Sequence, residues 1–200
     1  MRPRAASGAG EDDDARGDRT ALRAADLGEG TTVLDVFIEP TCPFSATAFV
    51  KFPGLIETVG EDRLTLRINL HSQPWHLFSG VFVRATLAAS ITAGGRDAAA
   101  RVLREVYARR DELEPVGHAR GPALDRSPRA VLARVEEITG LALAEAFGQD
   151  VVTRAMTRHA RFSRQNGIHV SPTFMVDGLV NDRMGSRDEI GTWVAEIGLA

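Results

Sequence analysis

Residues 31–46, TTVLDVFIEPTCPFSA, decide the fold, because they join a buried strand to a helix and place the single cysteine of the 200-residue chain at the junction. Residues 33–38 are almost all apolar, which is typical of a strand buried on both faces of a parallel sheet. Pro43 suits the first position of a helix, where its missing N–H would have no partner anyway. The sequence therefore predicts that the thiol of Cys42 is exposed at a helix N-terminus.

The composition fits one compact domain, or one domain with a sizeable insertion, since 44% of the residues are hydrophobic. The net charge of -3 gives no electrostatic reason to expect nucleic acid or an anionic membrane as a partner. No apolar run approaches the roughly 18 residues of a membrane span. The N-terminus lacks the apolar region of a secretory signal, which predicts a cytoplasmic protein. A single cysteine excludes an intramolecular disulfide.

The remaining patterns predict the element order β-α-β, a long helical block, then β-β-α. Residues 63–72 alternate in polarity as a strand does. Asp177-Gly178 between two apolar runs predicts a hairpin. A break at Pro53-Gly54 is expected in the helix that follows Cys42. A capping box at residues 186–189 predicts the start of a C-terminal helix.

Helical periodicity runs from about residue 78 to 166, and two helix ends within this block carry clear signals. Ser127-Pro128 combines an N-cap with proline at the first helical position. Asn166-Gly167 ends a helix predicted over residues 142–166. Residues 1–20, rich in Gly, Ala, Asp and Arg, are predicted to be a disordered tail.

This order, with Cys-Pro-Phe-Ser after the first long strand and Val-Ser-Pro-Thr at residues 170–173 opening the hairpin, resembles the thioredoxin fold. More narrowly it resembles the DsbA-like branch, which carries a helical insertion and includes kappa-class glutathione transferases and 2-hydroxychromene-2-carboxylate isomerases. The resemblance implies an α/β protein with a thioredoxin fold, β-α-β … β-β-α. The thioredoxin-like domain would comprise residues 21–76 and 167–200, with an all-helical insertion domain over residues 77–166.

The resemblance also implies the residues of a catalytic site. Cys42 matches the nucleophile of the family, and Pro172 matches its cis-proline beside the thiol. Ser171 matches the residue whose backbone can pair with an extended substrate. Ser45 stands where the disulfide-forming members have a second cysteine, so the chain departs from their pattern and cannot act alone as a dithiol oxidase. Members of the isomerase and transferase branch usually have serine where this chain has Cys42, which is a second departure.

Three further residues are predicted to bind substrate. Pro43 and Phe44 follow the cysteine directly, and Trp75 lies in the QPWH stretch at residues 73–76. For Trp75, packing in the core is an equally good interpretation.

The position of Cys42 favours a reactive thiol. A thiolate is the nucleophile in disulfide exchange, and a free cysteine with a pKa of about 8.5 is mostly protonated at pH 7. At a helix N-terminus the sulfur faces unpaired N–H groups and the positive end of the helix dipole, which lowers the thiol pKa. We expect the Ser45 hydroxyl to donate to the thiolate, but serine cannot resolve a mixed disulfide. The alternative interpretation of Cys42 is a small buried hydrophobe.

Several titratable residues could lie near the thiol. Glu39 would raise the thiol pKa if it were close. Asp35 is either a buried acid, resembling the proton-relay acid of thioredoxins, or a residue at a solvated strand edge. His76 and His169 are candidate general bases, although a solvent-exposed edge is the default interpretation for both and for His71. No metal site is predicted, because no tight spacing such as H-x-x-x-H occurs.

The leading hypothesis is a monothiol thiol–disulfide or glutathione-linked oxidoreductase with a thiol or disulfide substrate, protein or small molecule. No tightly bound cofactor is expected, and glutathione would act as a co-substrate. One alternative is a glutathione-dependent transferase or isomerase acting on small electrophiles. Another is a non-catalytic module that binds peptides at the Ser171 edge. A glutathione-bridged iron–sulfur site, as in Cys-Gly-Phe-Ser glutaredoxins, is disfavoured because Pro43 replaces the glycine. No pattern in the sequence favours one oligomeric state.

Overall fold

A computed structural model describes residues 25–200, so the predicted tail at residues 1–20 lies outside the described residues. The first part of the chain forms a β-α-β unit: β1 (Thr32–Ile38), α1 (Pro43–Phe49), α2 (Phe52–Val59) and β2 (Leu64–Leu70). Helices follow, namely α3 (Ser79–Ser90), α4 (Gly95–Ala108), α5 (Arg110–Leu113), a 3-10 turn (Pro122–Asp125), α6 (Pro128–Thr139), α7 (Ala144–Phe147) and α8 (Asp150–Gln165). The chain ends with β3 (Thr173–Val176), β4 (Leu179–Val180) and α9 (Ile190–Glu196). The predicted fold class is confirmed.

The four strands form one mixed sheet in the order β2-β1-β3-β4. Strand β1 runs parallel to β2, from Thr32 opposite Leu64 to Ile38 opposite Leu70, and antiparallel to β3. Because β1 has a neighbour on each side and helices over the sheet, its last five residues are buried. This position explains its nearly continuous apolar run. The C-terminal end of β1 delivers the chain to Cys42.

The predicted hairpin is confirmed. Asp177 and Gly178 connect β3 to β4, and both have positive φ, 46° and 87°. Positive φ at both central residues is what a two-residue hairpin turn requires, which explains the Asp-Gly pair. Asp177 also accepts a hydrogen bond through Oδ1 from the N–H of Val33 at 2.8 Å, so the turn is tied to β1.

Two hydrophobic cores support the fold. The larger lies between the sheet and its helices, where the Trp193 ring of α9 lies 6.2 Å from the Phe52 ring of α2 and 5.2 Å from the Phe174 ring of β3. The second core lies within the helical insertion and includes Phe82, Val102, Val106, Leu113, Val131 and Val135. Among the described helices, none combines the length and apolar character needed to cross a membrane.

The break predicted at Pro53-Gly54 is wrong in position. Helix α1 ends at Phe49 and α2 begins at Phe52, so the helical conformation is interrupted at residues 50–51. Pro53 lies in the first turn of α2. There its missing N–H costs no hydrogen bond, so the proline begins a helix instead of interrupting one.

The single helix predicted over residues 142–166 is two helices. Gly148 and Gln149 separate α7 from α8. The break is held by Arg84 of α3, whose Nε donates to the carbonyl oxygen of Phe147 at 2.6 Å. A local pattern does not reveal this tertiary contact. The predicted end at Asn166-Gly167 is confirmed, since α8 ends at Gln165 and Gly167 has a φ of 66°.

The N-cap predicted at Ser127 is confirmed and the capping box at residues 186–189 is wrong. The Ser127 hydroxyl accepts from the N–H of Ala130 at 3.2 Å. Helix α9 begins only at Ile190 and has no side-chain cap. Before it, Asp188 Oδ2 accepts from the N–H of Gly185 at 2.6 Å, and Lys51 donates to the carbonyl oxygens of residues 186 and 188. These contacts hold the segment as a turn.

Candidate functional site

The fold brings the sulfur of Cys42 to the peptide bond before Pro172. Cys42 is the N-cap of α1, with φ −71° and ψ 125°. In the thiol form its Sγ donates to the carbonyl oxygen of Ser171 at 3.4 Å, although the two residues are 129 positions apart in sequence. The Ser171–Pro172 bond is cis. The two motifs that carried the resemblance therefore meet at one place.

The expectation that the thiol is exposed is wrong, because Cys42 is only 4% exposed. The sulfur is nevertheless surrounded by polar groups from His76, Ser171 and Ser45. Burial by itself raises the pKa of the Cys42 thiol, but hydrogen bonds from these three residues outweigh burial and lower the thiol pKa below its ordinary value. The surroundings favour the thiolate, which packing among apolar side chains would not do.

Ser45, in the first turn of α1, contributes hydrogen bonds to the loop and to the sulfur. It is fully buried, and its Oγ accepts from the N–H of Glu39 at 3.2 Å, which fixes the loop between β1 and α1. Its backbone N–H and its hydroxyl also bond to the sulfur of Cys42 and favour the thiolate. Ser45 thus both shapes the loop and stabilises the charge.

The pKa of His76 is raised far above its ordinary value by its surroundings. It is 4% exposed, so the default interpretation of a solvent-exposed edge is wrong for this residue. Its Nδ1 lies 2.9 Å from Oε1 of Glu114 and 3.1 Å from Oγ1 of Thr41. Burial alone would lower the pKa of His76, but hydrogen bonds to Cys42 and Glu114 and the charges of Glu39 and Glu114 raise it to about 10. His76 is therefore an imidazolium at neutral pH.

Two buried carboxylates flank this imidazolium. Oε2 of Glu39 lies 3.8 Å from Nε2 of His76 and accepts from the N–H and the hydroxyl of Thr41 at 2.6 and 2.9 Å. Burial raises the pKa of Glu39, and the charge of His76 opposes that shift. Burial also raises the pKa of Glu114, but hydrogen bonds from His76 and His118 outweigh burial and lower it.

Glu114 and His118 were not among the residues predicted from sequence. Both follow α5 in the helical insertion, and no local pattern connects them to a cysteine more than 70 positions earlier. The φ of His118 is 63°, which is uncommon for a residue other than glycine. Its Nδ1 lies 3.1 Å from Oε1 of Glu114. A long-range contact of this kind leaves no signal in one sequence.

His76, Glu114 and His118 are the described residues that could together hold a metal ion, since their ligand atoms all lie within 4.8 Å of one another. The nitrogen–oxygen separations of 2.9 and 3.1 Å are, however, hydrogen-bond lengths. At these separations the three side chains form a hydrogen-bonded chain.

Four exposed apolar side chains lie next to residues of the site along the chain. Phe44 is 48% exposed and Trp75 is 46% exposed, so Trp75 does not pack in the core. Leu77 and Val170 are exposed as well. Together Phe44, Trp75, Leu77 and Val170 form what we call the apolar rim. Pro43, also exposed, lies between Cys42 and Phe44.

The segment that carries the cis bond is held by Gln73. The hydroxyl of Ser171 donates to Oε1 of Gln73 at 2.7 Å, and Nε2 of Gln73 donates to the carbonyl oxygen of His169 at 3.2 Å. His169 is exposed. Asp35 is a buried acid, 4% exposed, and accepts from the side-chain amide of Asn69 at 2.8 Å.

A thiol at the start of the first helix of a β-α-β unit, beside a cis-proline from a strand hairpin, defines the site of a thioredoxin-fold protein. Comparison with solved structures identifies the branch. A structure from Pseudomonas syringae, described provisionally as a protein-disulfide isomerase, is 49% identical, covers 90% of this chain and 98% of its own, and has a TM-score of 0.85. The chain belongs to the DsbA-like thioredoxin-fold family.

More distant structures share the fold. A thioredoxin-like oxidoreductase from Silicibacter pomeroyi is 18% identical over 90% of this chain and 96% of its own, with a TM-score of 0.62. Pseudomonas aeruginosa DsbA2 is 16% identical over 89% of this chain and 94% of its own, also with a TM-score of 0.62. No family model and no curated protein matches the chain. The predicted class, a thiol–disulfide oxidoreductase, agrees with what these relatives are described as.

Proposed function

We propose that the protein is a monothiol thiol–disulfide oxidoreductase in which Cys42 is the nucleophile and His76 its charged partner. The observation that carries the proposal is the placement of the Cys42 sulfur 3.4 Å from the Ser171 carbonyl oxygen and in hydrogen-bond contact with a buried imidazolium. A positive charge beside a thiol favours the thiolate, which is the nucleophile in exchange reactions.

The proposed reaction consists of two thiol–disulfide exchanges, in which an outside thiol is the reductant. The Cys42 thiolate attacks one sulfur of a substrate disulfide, a bond forms between Cys42 and that sulfur, and the other sulfur leaves as a thiolate. The His76 imidazolium stabilises this departing charge and can give it a proton. An outside thiolate then attacks the mixed disulfide, forms a new disulfide with the substrate sulfur and releases Cys42 as the thiolate. Because Ser45 offers no sulfur, the second step depends on the outside thiol.

The apolar rim favours a protein substrate. Four exposed apolar side chains that neighbour the site residues in sequence suit an extended peptide with apolar residues near its disulfide. A related structure is described provisionally as a protein-disulfide isomerase, which supports the same substrate class. We propose glutathione as the outside thiol and a reducing compartment such as the cytoplasm as the place of reaction.

Trapping the mixed disulfide tests the proposal. The full chain is mixed with a peptide disulfide or with oxidised glutathione, and the adducts are located by mass spectrometry. We expect one adduct per chain on Cys42, its removal by added glutathione, and none in Cys42→Ser. A chain that forms no adduct at Cys42 with either disulfide would contradict the proposal.

A further inference from the structure

Glu114 belongs to the helical insertion, yet its carboxylate reaches the site built by the thioredoxin-like part. We propose that Glu114 is a positioning residue for the Cys42 thiol, acting by holding the ring of His76 so that its second N–H faces the sulfur. The inference deepens the proposed function, on which it rests because Cys42 is taken as the reacting group.

The geometry of the His76 ring carries the inference. Nδ1 is occupied by Oε1 of Glu114 at 2.9 Å and by Oγ1 of Thr41 at 3.1 Å. This leaves Nε2 as the ring nitrogen available to Cys42. Both the His76 and the Glu114 side chains are 3% exposed, so water does not screen their interaction as it would at the surface.

The carboxylate of Glu114 is itself held in place. The N–H of Glu114 donates to the carbonyl oxygen of Arg110 at 2.8 Å, which closes the last turn of α5. Leu113, the preceding residue, is fully buried in the core of the insertion. His118 donates to the same carboxylate from the exposed side. The insertion thus fixes the position of the carboxylate.

The groups that face His76 from the surrounding elements are Cys42 and Thr41 at the start of α1, Glu39 after β1, and Glu114 and His118 after α5. Among the acids, Glu114 makes the closer contact, 2.9 Å against 3.8 Å for Glu39. Each acid has a second oxygen without a hydrogen-bond partner among the described residues, Oε1 of Glu39 and Oε2 of Glu114, so the shorter contact is what distinguishes them. Glu114 is therefore the acid best placed to orient the ring.

The test compares Glu114→Gln with Glu112→Gln in the full chain. Glu112 lies on α5, two positions before Glu114, but pairs with Arg134 at the surface, and among the described contacts none joins it to His76. The rate of Cys42 alkylation is measured against pH. Loss of the Glu114 charge makes His76 easier to deprotonate, so the thiolate loses its partner. We expect the midpoint to move upward by about one pH unit in Glu114→Gln and to stay unchanged in Glu112→Gln.

The outcomes separate this inference from the proposed function. A wild-type midpoint at the value of free cysteine would overturn the proposed function. A low wild-type midpoint that Glu114→Gln leaves unchanged would overturn only the inference, because a purely structural role would alter thermal unfolding and not the midpoint. Glu114→Asp, which keeps the charge, is expected to restore part of the shift.

If Glu114→Gln does not fold, the ¹⁵N NMR signals of the His76 ring in the wild-type protein test whether the ring is charged. Two protonated nitrogens at neutral pH are expected. A neutral ring would overturn the inference.

Discussion

Cys42 and His76 depend on each other for their charges. The thiolate is stabilised by the imidazolium, and the imidazolium by the thiolate and two carboxylates. Both groups are nearly buried, so each charge depends on its polar neighbours: His76, Ser171 and Ser45 for Cys42, and Cys42, Glu114 and Glu39 for His76. The charge on the sulfur therefore depends on the whole group of residues around it, of which the N-terminus of α1 is one part.

In the proposed reaction, serine at position 45 makes release of the mixed disulfide depend on an outside thiol, and a substitution can remove that dependence. Its side chain already bonds to the sulfur of Cys42, so Ser45→Cys would bring a second sulfur within reach. We expect this variant to release a bound peptide without added thiol and to form an intramolecular disulfide. Mass spectrometry of the adduct over time measures the release.

Ser45→Ala serves as the matched control, since it removes the hydroxyl and adds no sulfur. A mixed disulfide that persists equally in Ser45→Cys and Ser45→Ala would show that position 45 cannot reach the sulfur.

For individual residues, the sequence predicts site positions that belong to a short motif. It does not predict site positions that only tertiary contacts bring to the cysteine. Cys42, Ser171 and Pro172 were found because the two short motifs resemble a family. Glu114 was not found, because a charged residue at the end of a short helix has the same local pattern whether it is solvated or buried. Its role depends on a contact across 38 positions of sequence.

Among the secondary-structure elements, helix ends show what local patterns determine. Ser127 was predicted correctly because its bond to the N–H of Ala130 is made within four residues. The capping box at residues 186–189 failed because Lys51, 135 positions away from Ser186, and Asp188 hold that segment as a turn. Strands β1 to β4 were predictable because an apolar run, alternation in residues 63–72 and an Asp-Gly turn are local as well.

Removal of the Ser127 hydroxyl tests whether Ser127 caps a helix and Ser186 does not. We expect Ser127→Ala to lower the free energy of unfolding by about 1 kcal/mol, because one first-turn N–H of α6 loses its partner. Ser186→Ala, which removes no helix cap, should cost less. Urea denaturation of both variants measures the difference, and an equal or larger loss in Ser186→Ala would contradict the assignment of the caps.

In the whole molecule, the site lies where the thioredoxin-like part and the helical insertion meet. The insertion supplies Glu114, and the other part supplies Cys42, His76 and the cis-proline segment. Tyr107 of α4 adds a second link, since its hydroxyl donates to the carbonyl oxygen of Glu39 at 3.2 Å. The order of elements could be read from the sequence. The packing of the insertion on the site could not, because it depends on contacts between distant segments.

The positive charge of His76 makes the stability of the whole protein depend on pH. The pKa of His76 in the folded chain, about 10, lies above its ordinary value of 6.5. The corresponding stabilisation is fully present below the ordinary value and is lost as the pH rises through about 10. We expect the free energy of unfolding to fall between neutral pH and about pH 10, and to fall less in His76→Gln.

His169→Asn is the control for that experiment, because His169 is exposed and makes no contact with the carboxylates of Glu39 or Glu114. An identical dependence on pH in the wild type and in His76→Gln would show that His76 is not charged in the folded protein.

The thiolate of Cys42 can be measured directly by its ultraviolet absorbance as the pH is raised, with Cys42→Ser as the baseline. The structure predicts a midpoint below the ordinary value of a cysteine thiol, because the hydrogen bonds from His76, Ser171 and Ser45 outweigh burial. A midpoint at or above that ordinary value would contradict the account.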